Sequence, residues 1–487
     1  MCAPRTRSTL ALAAALVVGA ARPAAAQATA PQPTAVSATA GPWRDVAARI
    51  DSLANAPVAR GEAAGVAVFV VRGRDTLVAR GYGRADVEND APMTAGHVFQ
   101  LASITKQFTA AAVLALVQDG RVALDSPITR YVPTAAARAL LRGRRPTVRQ
   151  LLSHTAGVPD YTEAPRGDAL KRLDLPSDSL LALARDLPPS FEPGEQMRYS
   201  NTGFALLGQL VERVSGRPYA AFVRERVLVP AGVGGAHFCD PRALVPRLAR
   251  GYEATRGGLR PAEFISPYMP WAAGGFCATA GDLAAWNAAV HAVRGGRVLA
   301  PALYAEMVRP ASVGPGPGTR SRVAGRYGLG VMLSEVAGRR AVSHSGDIDG
   351  FTTFTGYLPD DSLNVTVLVN TQGPARPDAL AAAVVTAVLG PAPAGRALAP
   401  VAVALDALAG RYGGELDVAP AADDTGPALR VRGGPLPPVL LRYDGDAGAG
   451  PVFTDGRARL TFELRGGRPV AVWGDLGVYL VRWERGR

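Results

Sequence analysis

Strand-like segments lie at both ends of the first 390 residues, and a long helix-like region separates them. Near the start, GVAVFVVRGRDTLVARGYG (residues 65–83) has two β-branched runs around a Gly-containing turn, which predicts a β-hairpin. Near the end, FTTFTGYLP and LNVTVLVNT have the same character and are joined by Asp360-Asp361. Strands need partners, so the early and late pairs are expected to share one antiparallel sheet that helices cover. The pattern predicts an α+β fold with a helical lobe beside the sheet.

The region between the strands carries the signals of several helices. Thr147 and Gln150 form a capping-box signature, and Thr279 and Asp282 stand at the start of another helical segment. Further helices are predicted at residues 43–55, 104–117, 201–215 and 377–389. With the strands, these helices form a predicted domain at residues 41–390.

A second domain is predicted at residues 401–487, after a linker rich in Pro, Ala and Gly at residues 391–400. In this last part, apolar and polar residues alternate in short segments such as RLTFELR and VYLVRW, as in half-buried strands. We therefore expect a small all-β domain, either a barrel or a meander.

The N-terminus resembles an export signal. Arg5 and Arg7 precede a short apolar run, and three alanines at 24–26 provide a cleavage site before Gln27. The run is too short to span a bilayer comfortably, so no stable membrane anchor is expected. We predict a signal peptide at residues 1–26, a flexible leader at 27–40, and a periplasmic or secreted mature protein.

The cysteines and histidines give little indication of cofactors. Cys239 and Cys277 remain after removal of the signal peptide, and the sequence leaves open whether they pair or stay as buried thiols. The five histidines have no metal-ligand spacing, so neither a metal nor another cofactor is predicted.

The formal net charge of +12 comes mostly from arginines scattered along the chain. Dispersed charge of this kind is typical of a solvated surface rather than a nucleic-acid interface. No nucleic-acid partner is predicted.

Lysine is almost absent, and this rarity draws attention to Lys106. The chain has 51 arginines but two lysines, Lys106 and Lys171, and Lys106 follows Ser103 by three positions. If a helix begins near Ser103, the two side chains share one face. A desolvated lysine amine can lose its proton and activate a serine hydroxyl, whereas a guanidinium cannot.

Two further segments have the residue types of a hydrolase site. Tyr199 and Asn201 lie just before a helix, where a phenol could pass protons and an amide could hold a substrate. His344 and Gly346 lie in HSGDIDGF, whose small residues would let a substrate backbone approach a strand edge. Each segment alone is a weak signal.

Together, the segments Ser103–Lys106, Tyr199–Asn201 and His344–Gly346 resemble the three motifs of the serine β-lactamase and penicillin-binding-protein superfamily. The resemblance is greatest to its class C β-lactamase-like branch of D-aminopeptidases, D-Ala-D-Ala carboxypeptidases and esterases. It implies a β-lactamase/transpeptidase-like sheet flanked by helices, and a lipocalin-like C-terminal domain.

The resemblance also implies roles for individual residues. Ser103 would be the acylated nucleophile, Lys106 its proton partner and Tyr199 the general base, while Asn201 would orient the substrate. The backbone N–H groups of Ser103 and Asp347 would form the oxyanion hole, and His344 and Gly346 would line the pocket. His154, in a framework segment, would be structural.

One departure from the superfamily motifs bears on the substrate. The K-T-G motif provides a fixed positive charge, whereas His344, with an ordinary pKa near 6.5, would be mostly neutral at pH 7. We therefore expect an exported serine hydrolase acting through an acyl-enzyme on esters or on D-amino-acid or peptide amides. The alternatives are a β-lactamase and a penicillin-binding sensor that does not turn over.

Overall fold

The structure is a computed structural model that describes residues 43–314, 323–391 and 403–486, except 424–425, 435, 448–449, 456–457 and 477–478. The predicted signal peptide, the predicted leader and residues 392–400 of the predicted linker lie outside the described residues.

The strands up to residue 391 form one large sheet and several small ones, except Met197–Arg198, which joins the sheet of the C-terminal part. They are β1 (Gly65–Arg72), β2 (Asp75–Asp86), β3 (Ala91–Pro92), β4 (Phe99–Gln100), β5 (Met197–Arg198), β6 (His237–Phe238), β7 (Tyr252–Thr255), β8 (Gly258–Pro261), β9 (Phe276–Ala278), β10 (Ser312–Val313), β11 (Val323–Ala324), β12 (Met332–Val336), β13 (Arg339–Ile348), β14 (Phe351–Leu358), β15 (Leu363–Val369) and β16 (Thr371–Gln372).

The α-helices of the same part are α1 (Arg44–Ala59), α2 (Thr105–Gln118), α3 (Ala135–Leu141), α4 (Val148–Leu152), α5 (Gly167–Leu170), α6 (Ser177–Ala184), α7 (Asn201–Ser215), α8 (Tyr219–Val223), α9 (Trp271–Gly274), α10 (Ala280–Trp286), α11 (Pro301–Met307) and α12 (Pro377–Leu389). Short 3-10 turns at Ala102–Ile104, Ile128–Arg130 and Tyr161–Glu163 and π-helical turns at Arg224–Leu228 and Asn287–Ala292 complete the helical part.

The large sheet joins the early and late strands, as the sequence predicts. Its order is β12-β13-β14-β15-β1-β2-β3, and β1 pairs antiparallel with β15 from Val66 opposite Val369 to Arg72 opposite Leu363. β14 and β15 are buried along their whole lengths, including their threonines and Asn364.

Helices cover both faces of the sheet. The apolar faces of α1 and α12 pack with the side chains of β1 and β15 in one core. On the other face a larger core contains α2, α7 and α10. The capping boxes at Thr147 and Thr279 are both formed, and α7 ends at the left-handed Gly216. The predicted α+β fold is confirmed.

The C-terminal part is an all-β meander that closes into a barrel. A short helix, α13 (Leu405–Leu408), precedes its strands β17 (Gly410–Tyr412), β18 (Leu416–Asp423), β19 (Gly426–Gly433), β20 (Leu436–Ala447), β21 (Gly450–Thr454), β22 (Arg459–Arg465), β23 (Arg468–Asp475) and β24 (Tyr479–Glu484). Successive strands pair, and backbone hydrogen bonds from Gly413 N to Glu484 O (2.7 Å) and from Gly486 N to Arg411 O (2.8 Å) join the first strand to the last.

The barrel also pairs with the helical lobe. Tyr479 and Leu480 of β24 lie opposite Arg198 and Met197 of β5, which makes β5 the ninth strand of that sheet. Leu480 and Trp473 pack with Met197 and Tyr327 in a small apolar cluster. Nothing in the sequence indicated this contact.

Cys239 and Cys277 form a disulfide with a Cα–Cα distance of 5.3 Å across a sequence separation of 38 residues. Cys277 lies in β9, whose two neighbours are β4 and β6, and β6 ends at the residue before Cys239. The bond therefore links the loop that follows β6 to the central strand, β9, of this small sheet.

We expect the double substitution Cys239→Ser/Cys277→Ser to lower the free energy of unfolding by about 4 kcal/mol, because the bond restricts a loop of this length in the unfolded chain. Urea unfolding with and without a reductant measures the change. The reductant should lower the urea midpoint of the native chain and leave that of the double variant unchanged. Equal midpoints for the two proteins without reductant would contradict the expectation.

Candidate active site

The turn that presents Ser103 is held in place by the large sheet. Ser103 lies in the 3-10 turn before α2, after Ala102, which has a left-handed φ of 47°. A Cβ on Gly346 of β13 would overlap the Leu101 carbonyl oxygen, and the Thr353 hydroxyl of β14 donates to that same oxygen at 3.0 Å. Gly346 is thus the residue that lets the strand lie directly against the turn.

Lys106 lies on the first turn of α2, three residues after Ser103. Its side chain is completely buried, and Nζ lies 3.1 Å from Ser103 Oγ, 2.8 Å from Asn201 Oδ1 and 2.8 Å from the Ala273 carbonyl oxygen. The serine and the lysine therefore lie side by side, as their spacing predicted.

The three hydrogen-bond partners of Lys106 Nζ differ in whether they can donate a proton as well as accept one. The Asn201 and Ala273 oxygens are acceptors and cannot donate, whereas the Ser103 hydroxyl can do both. A neutral amine has two N–H groups and one lone pair. If its two N–H groups bond to the two carbonyl oxygens, the lone pair faces Ser103 Oγ. The geometry therefore suits a neutral Lys106 that accepts the serine proton.

Burial also favours the neutral form of this amine. Loss of hydration lowers the pKa of Lys106 to about 7, and the nearby Asp160 carboxylate opposes this by raising the pKa. An amine with such a pKa is partly neutral near pH 7, as a general base requires.

Asp160 orients Asn201, and sequence reasoning missed it as a site residue. Asp160 Oδ2 accepts hydrogen bonds from Asn201 N and Nδ2, both at 2.9 Å, so the amide oxygen of Asn201 faces Lys106. Burial raises the pKa of Asp160. The sequence does offer one indication of Asp160: it is an acidic residue between Pro159 and Tyr161 in an otherwise largely apolar segment. That segment was interpreted as structural.

Tyr199 closes the site above Ser103 and Lys106. Its hydroxyl is hydrogen-bonded to Ser103, and its ring centroid lies 4.5 Å from Lys106 Nζ. Desolvation raises the pKa of Tyr199, although the bond to Ser103 opposes this. The family resemblance implies that Tyr199 is the general base, whereas burial favours its protonated form even beside the Lys106 amine, and a protonated phenol is suited to donating a proton.

His344 is a neutral imidazole. Because the Ser345 carbonyl oxygen can only accept, Nδ1 carries the proton and donates to it at 2.7 Å, which leaves Nε2 to accept from the Tyr327 hydroxyl at 2.8 Å. Burial, and then the charge of Lys106, lowers the pKa of His344 to about 3, although the hydrogen bond to Ser345 opposes this. The Ser345 carbonyl thus fixes the tautomer, and Tyr327, a second residue that sequence reasoning missed, donates to the remaining nitrogen.

The strand that carries His344, Gly346 and Asp347 has an open edge. β12 pairs with Arg339–Ser343 of β13, whereas β14 pairs with Val342–Ile348. Among the described strands, His344–Ile348 therefore have a partner on one side. Asp347 lies on this segment, and its carboxylate accepts from Gln372 Nε2 at 2.7 Å.

Within the described ranges, His, Cys, Asp and Glu form no group of three or more arranged to hold a metal ion. None of the described helices combines the length and the apolar character needed to cross a bilayer.

Comparison with known proteins identifies a family. A protein-family model described as Beta-lactamase matches residues 50–389. The esterase EstB of Burkholderia gladioli is 31% identical over 373 residues, which cover 70% of this chain and 93% of the esterase. The D-aminopeptidase of Brucella anthropi is 29% identical over 312 residues, which cover 63% of this chain. The chain spans 56% of the length of that D-aminopeptidase.

Solved structures with the same fold support the match. The octameric penicillin-binding protein homologue from Pyrococcus abyssi superposes with a TM-score of 0.62 at 25% identity, over 89% of this chain and 99% of that one. The D-amino acid amidase from Ochrobactrum anthropi SV3, complexed with D-phenylalanine, gives a TM-score of 0.59 at 28% identity, over 71% and 99% of the two chains.

Proposed function

This chain belongs to the beta-lactamase family, and we propose that it is a serine hydrolase that forms an acyl-enzyme on Ser103. The observation that carries the proposal is the set of three contacts around Lys106 Nζ, at 3.1, 2.8 and 2.8 Å. When the amine is neutral and its two N–H groups bond to the two carbonyl oxygens, its lone pair faces the serine hydroxyl.

In the first half of the reaction, neutral Lys106 takes the proton of Ser103 as Oγ attacks the substrate carbonyl carbon. The N–H groups of Ser103 and Asp347 are our proposed donors to the resulting oxyanion. As the tetrahedral intermediate collapses, Tyr199 gives its proton to the leaving group and recovers one from Lys106. The base is then neutral again, and Ser103 carries the acyl group.

In the second half, water replaces the leaving group and the proton transfers run in the reverse direction. Tyr199 accepts the water proton as it passes its own to Lys106, and the returning proton restores Ser103 as the acid product leaves. Asn201, held by Asp160, keeps an acceptor on Lys106 throughout and orients the substrate.

The chemistry around His344 narrows the substrate class. Where the K-T-G motif has a fixed cation, this site has a neutral imidazole whose nitrogens are both engaged. Binding of a substrate carboxylate at this position would lack a charged partner. We therefore propose esters and D-amino-acid or peptide amides, ahead of β-lactams, with the substrate alongside the open edge of β13. The esterase and D-aminopeptidase relatives support this order.

The nucleophile is tested by intact-mass detection of acylation with activated esters, D-amino-acid amides, penicillins and a fluorophosphonate. The native chain should gain one acyl mass from a substrate or penicillin, or one phosphonyl mass from the fluorophosphonate with loss of fluoride. Ser103→Ala should gain neither and lose turnover by at least about 1000-fold. Ser52→Ala, a serine of α1 that donates to Ala48 O, is the control and should match the native chain. A persistent penicillin adduct without turnover would instead favour the sensor, and unchanged turnover in Ser103→Ala would refute the proposal.

The base is tested by pH dependence. Since the neutral amine is the active form and its pKa is about 7, kcat/KM should fall about tenfold per pH unit below pH 7 and level off above it. Tyr199→Phe should lower kcat without moving this limb, and Lys106→Arg should abolish turnover because arginine keeps its proton.

Lys171→Arg is the matched control for that substitution. Lys171 makes ion pairs with Asp168, Glu263 and Asp349, which arginine can also make, so activity should be retained. If Tyr199→Phe shifted the pH at which kcat/KM begins to fall, the titrating group would be the phenol instead of Lys106.

We also propose that the protein is exported. The Cys239–Cys277 disulfide supports this, because such bonds persist in oxidising compartments. After expression in a Gram-negative host, N-terminal sequencing should find a periplasmic or secreted chain that begins at Gln27. A full-length chain in the cytoplasm would contradict the proposal.

A further inference from the structure

We infer that His154 is a positioning residue that holds the Tyr199 hydroxyl at Ser103, an inference that rests on the proposed function. The sequence suggested a structural role for this histidine, in a framework segment. Its contacts are nevertheless concentrated on the residues at either side of Tyr199.

Two hydrogen bonds from one residue bracket Tyr199. The His154 carbonyl oxygen accepts from Arg198 N at 2.9 Å, and His154 Nδ1 accepts from Ser200 N at 3.2 Å. The backbone is thus fixed immediately before and after the tyrosine. His154 has a left-handed φ of 59°, a conformation in which a non-glycine residue persists when its surroundings demand it.

The imidazole ring then limits the tyrosine ring itself. The two ring centroids are 4.3 Å apart, with planes inclined by 36°. The same imidazole lies 4.7 Å from the ring of Tyr327, whose hydroxyl bonds to His344. The buried imidazole therefore contacts both Tyr199 and Tyr327, and Tyr327 in turn reaches His344 of β13.

The protonation of His154 suits this role and not proton transfer. Because Nδ1 accepts from a backbone N–H, the proton of the neutral ring is on Nε2, which has no hydrogen-bond partner among the described residues. Burial, and then the charge of Lys106, lowers the pKa of His154. A neutral ring that accepts one backbone hydrogen bond and packs against two tyrosine rings is suited to holding a neighbour in place.

Two substitutions separate the hydrogen bond from the ring. His154→Asn keeps an acceptor near the position of Nδ1 and tolerates a left-handed φ, but loses the ring. His154→Phe keeps the ring and loses the acceptor. We expect kcat to fall about 100-fold in His154→Phe and about tenfold in His154→Asn, with KM within about twofold, since displacing a reacting group by about 1 Å costs this much.

The decisive comparison repeats His154→Phe in a Tyr199→Phe background. If His154 acts through the phenol, its substitution should have no further effect once the hydroxyl is gone. An equal loss of kcat in both backgrounds would overturn the inference and leave a general packing role.

His291→Phe is the matched control for stability. This buried histidine bonds to Gln107 Oε1 at 3.0 Å and to the Tyr304 hydroxyl at 3.3 Å, outside the proposed site. It should lower the urea midpoint without lowering kcat. If His154→Phe does not fold, His154→Asn in the two backgrounds makes the same comparison.

A crystal structure of His154→Phe provides a readout that does not need turnover. The distance from Tyr199 Oη to Ser103 Oγ should increase relative to the native crystal; an unchanged distance would overturn the inference. Fluorophosphonate labelling of the native chain keeps the two hypotheses apart. An unlabelled native Ser103 refutes the proposed function, whereas a labelled Ser103 with an unmoved Tyr199 refutes the role of His154 alone.

Discussion

The buried amine of Lys106 is the constraint on which the other features of the site depend. Taking an ammonium group out of water is costly, and the fold offsets this by shifting the amine toward its neutral form and giving its N–H groups two carbonyl acceptors. These acceptors come from residues 95 and 167 positions away in sequence. The base therefore exists only when α2, α7 and α9 are packed together.

The same packing assigns the two proton-transfer groups to different tasks. Desolvation acts on both Lys106 and Tyr199, but in opposite directions. It lowers the pKa of Lys106, because the protonated amine is the charged form, and raises the pKa of Tyr199, because the deprotonated phenol is the charged form. The lysine becomes a base near neutral pH while the phenol holds its proton. Burial thus separates a proton acceptor from a proton donor within one cluster, against the opposing effects of Asp160 on Lys106 and of Ser103 on Tyr199.

Features of the site that depend on local sequence could be predicted, and those that depend on distant contacts could not. The three-residue spacing of Ser103 and Lys106 fixes their shared face, and turn chemistry gave the capping boxes and the hairpins. By contrast, Asp160 becomes part of the site through α7, and Tyr327 through β13. The disulfide was left open for the same reason, since spacing says nothing about whether two cysteines meet.

The C-terminal barrel is the clearest case of a contact that composition cannot reveal. The family match ends at residue 389, yet β24 pairs with β5, so Tyr479 lies opposite Arg198, the residue immediately before Tyr199. Arg326, next to Tyr327, has its guanidinium 3.2 Å from the buried Asp475 carboxylate at the end of β23. The residue immediately before each of these two tyrosines is therefore in contact with the barrel, Arg198 through its backbone and Arg326 through its side chain. A site whose proton donor stands beside a strand pairing cannot be treated as independent of the domain that supplies the partner strand.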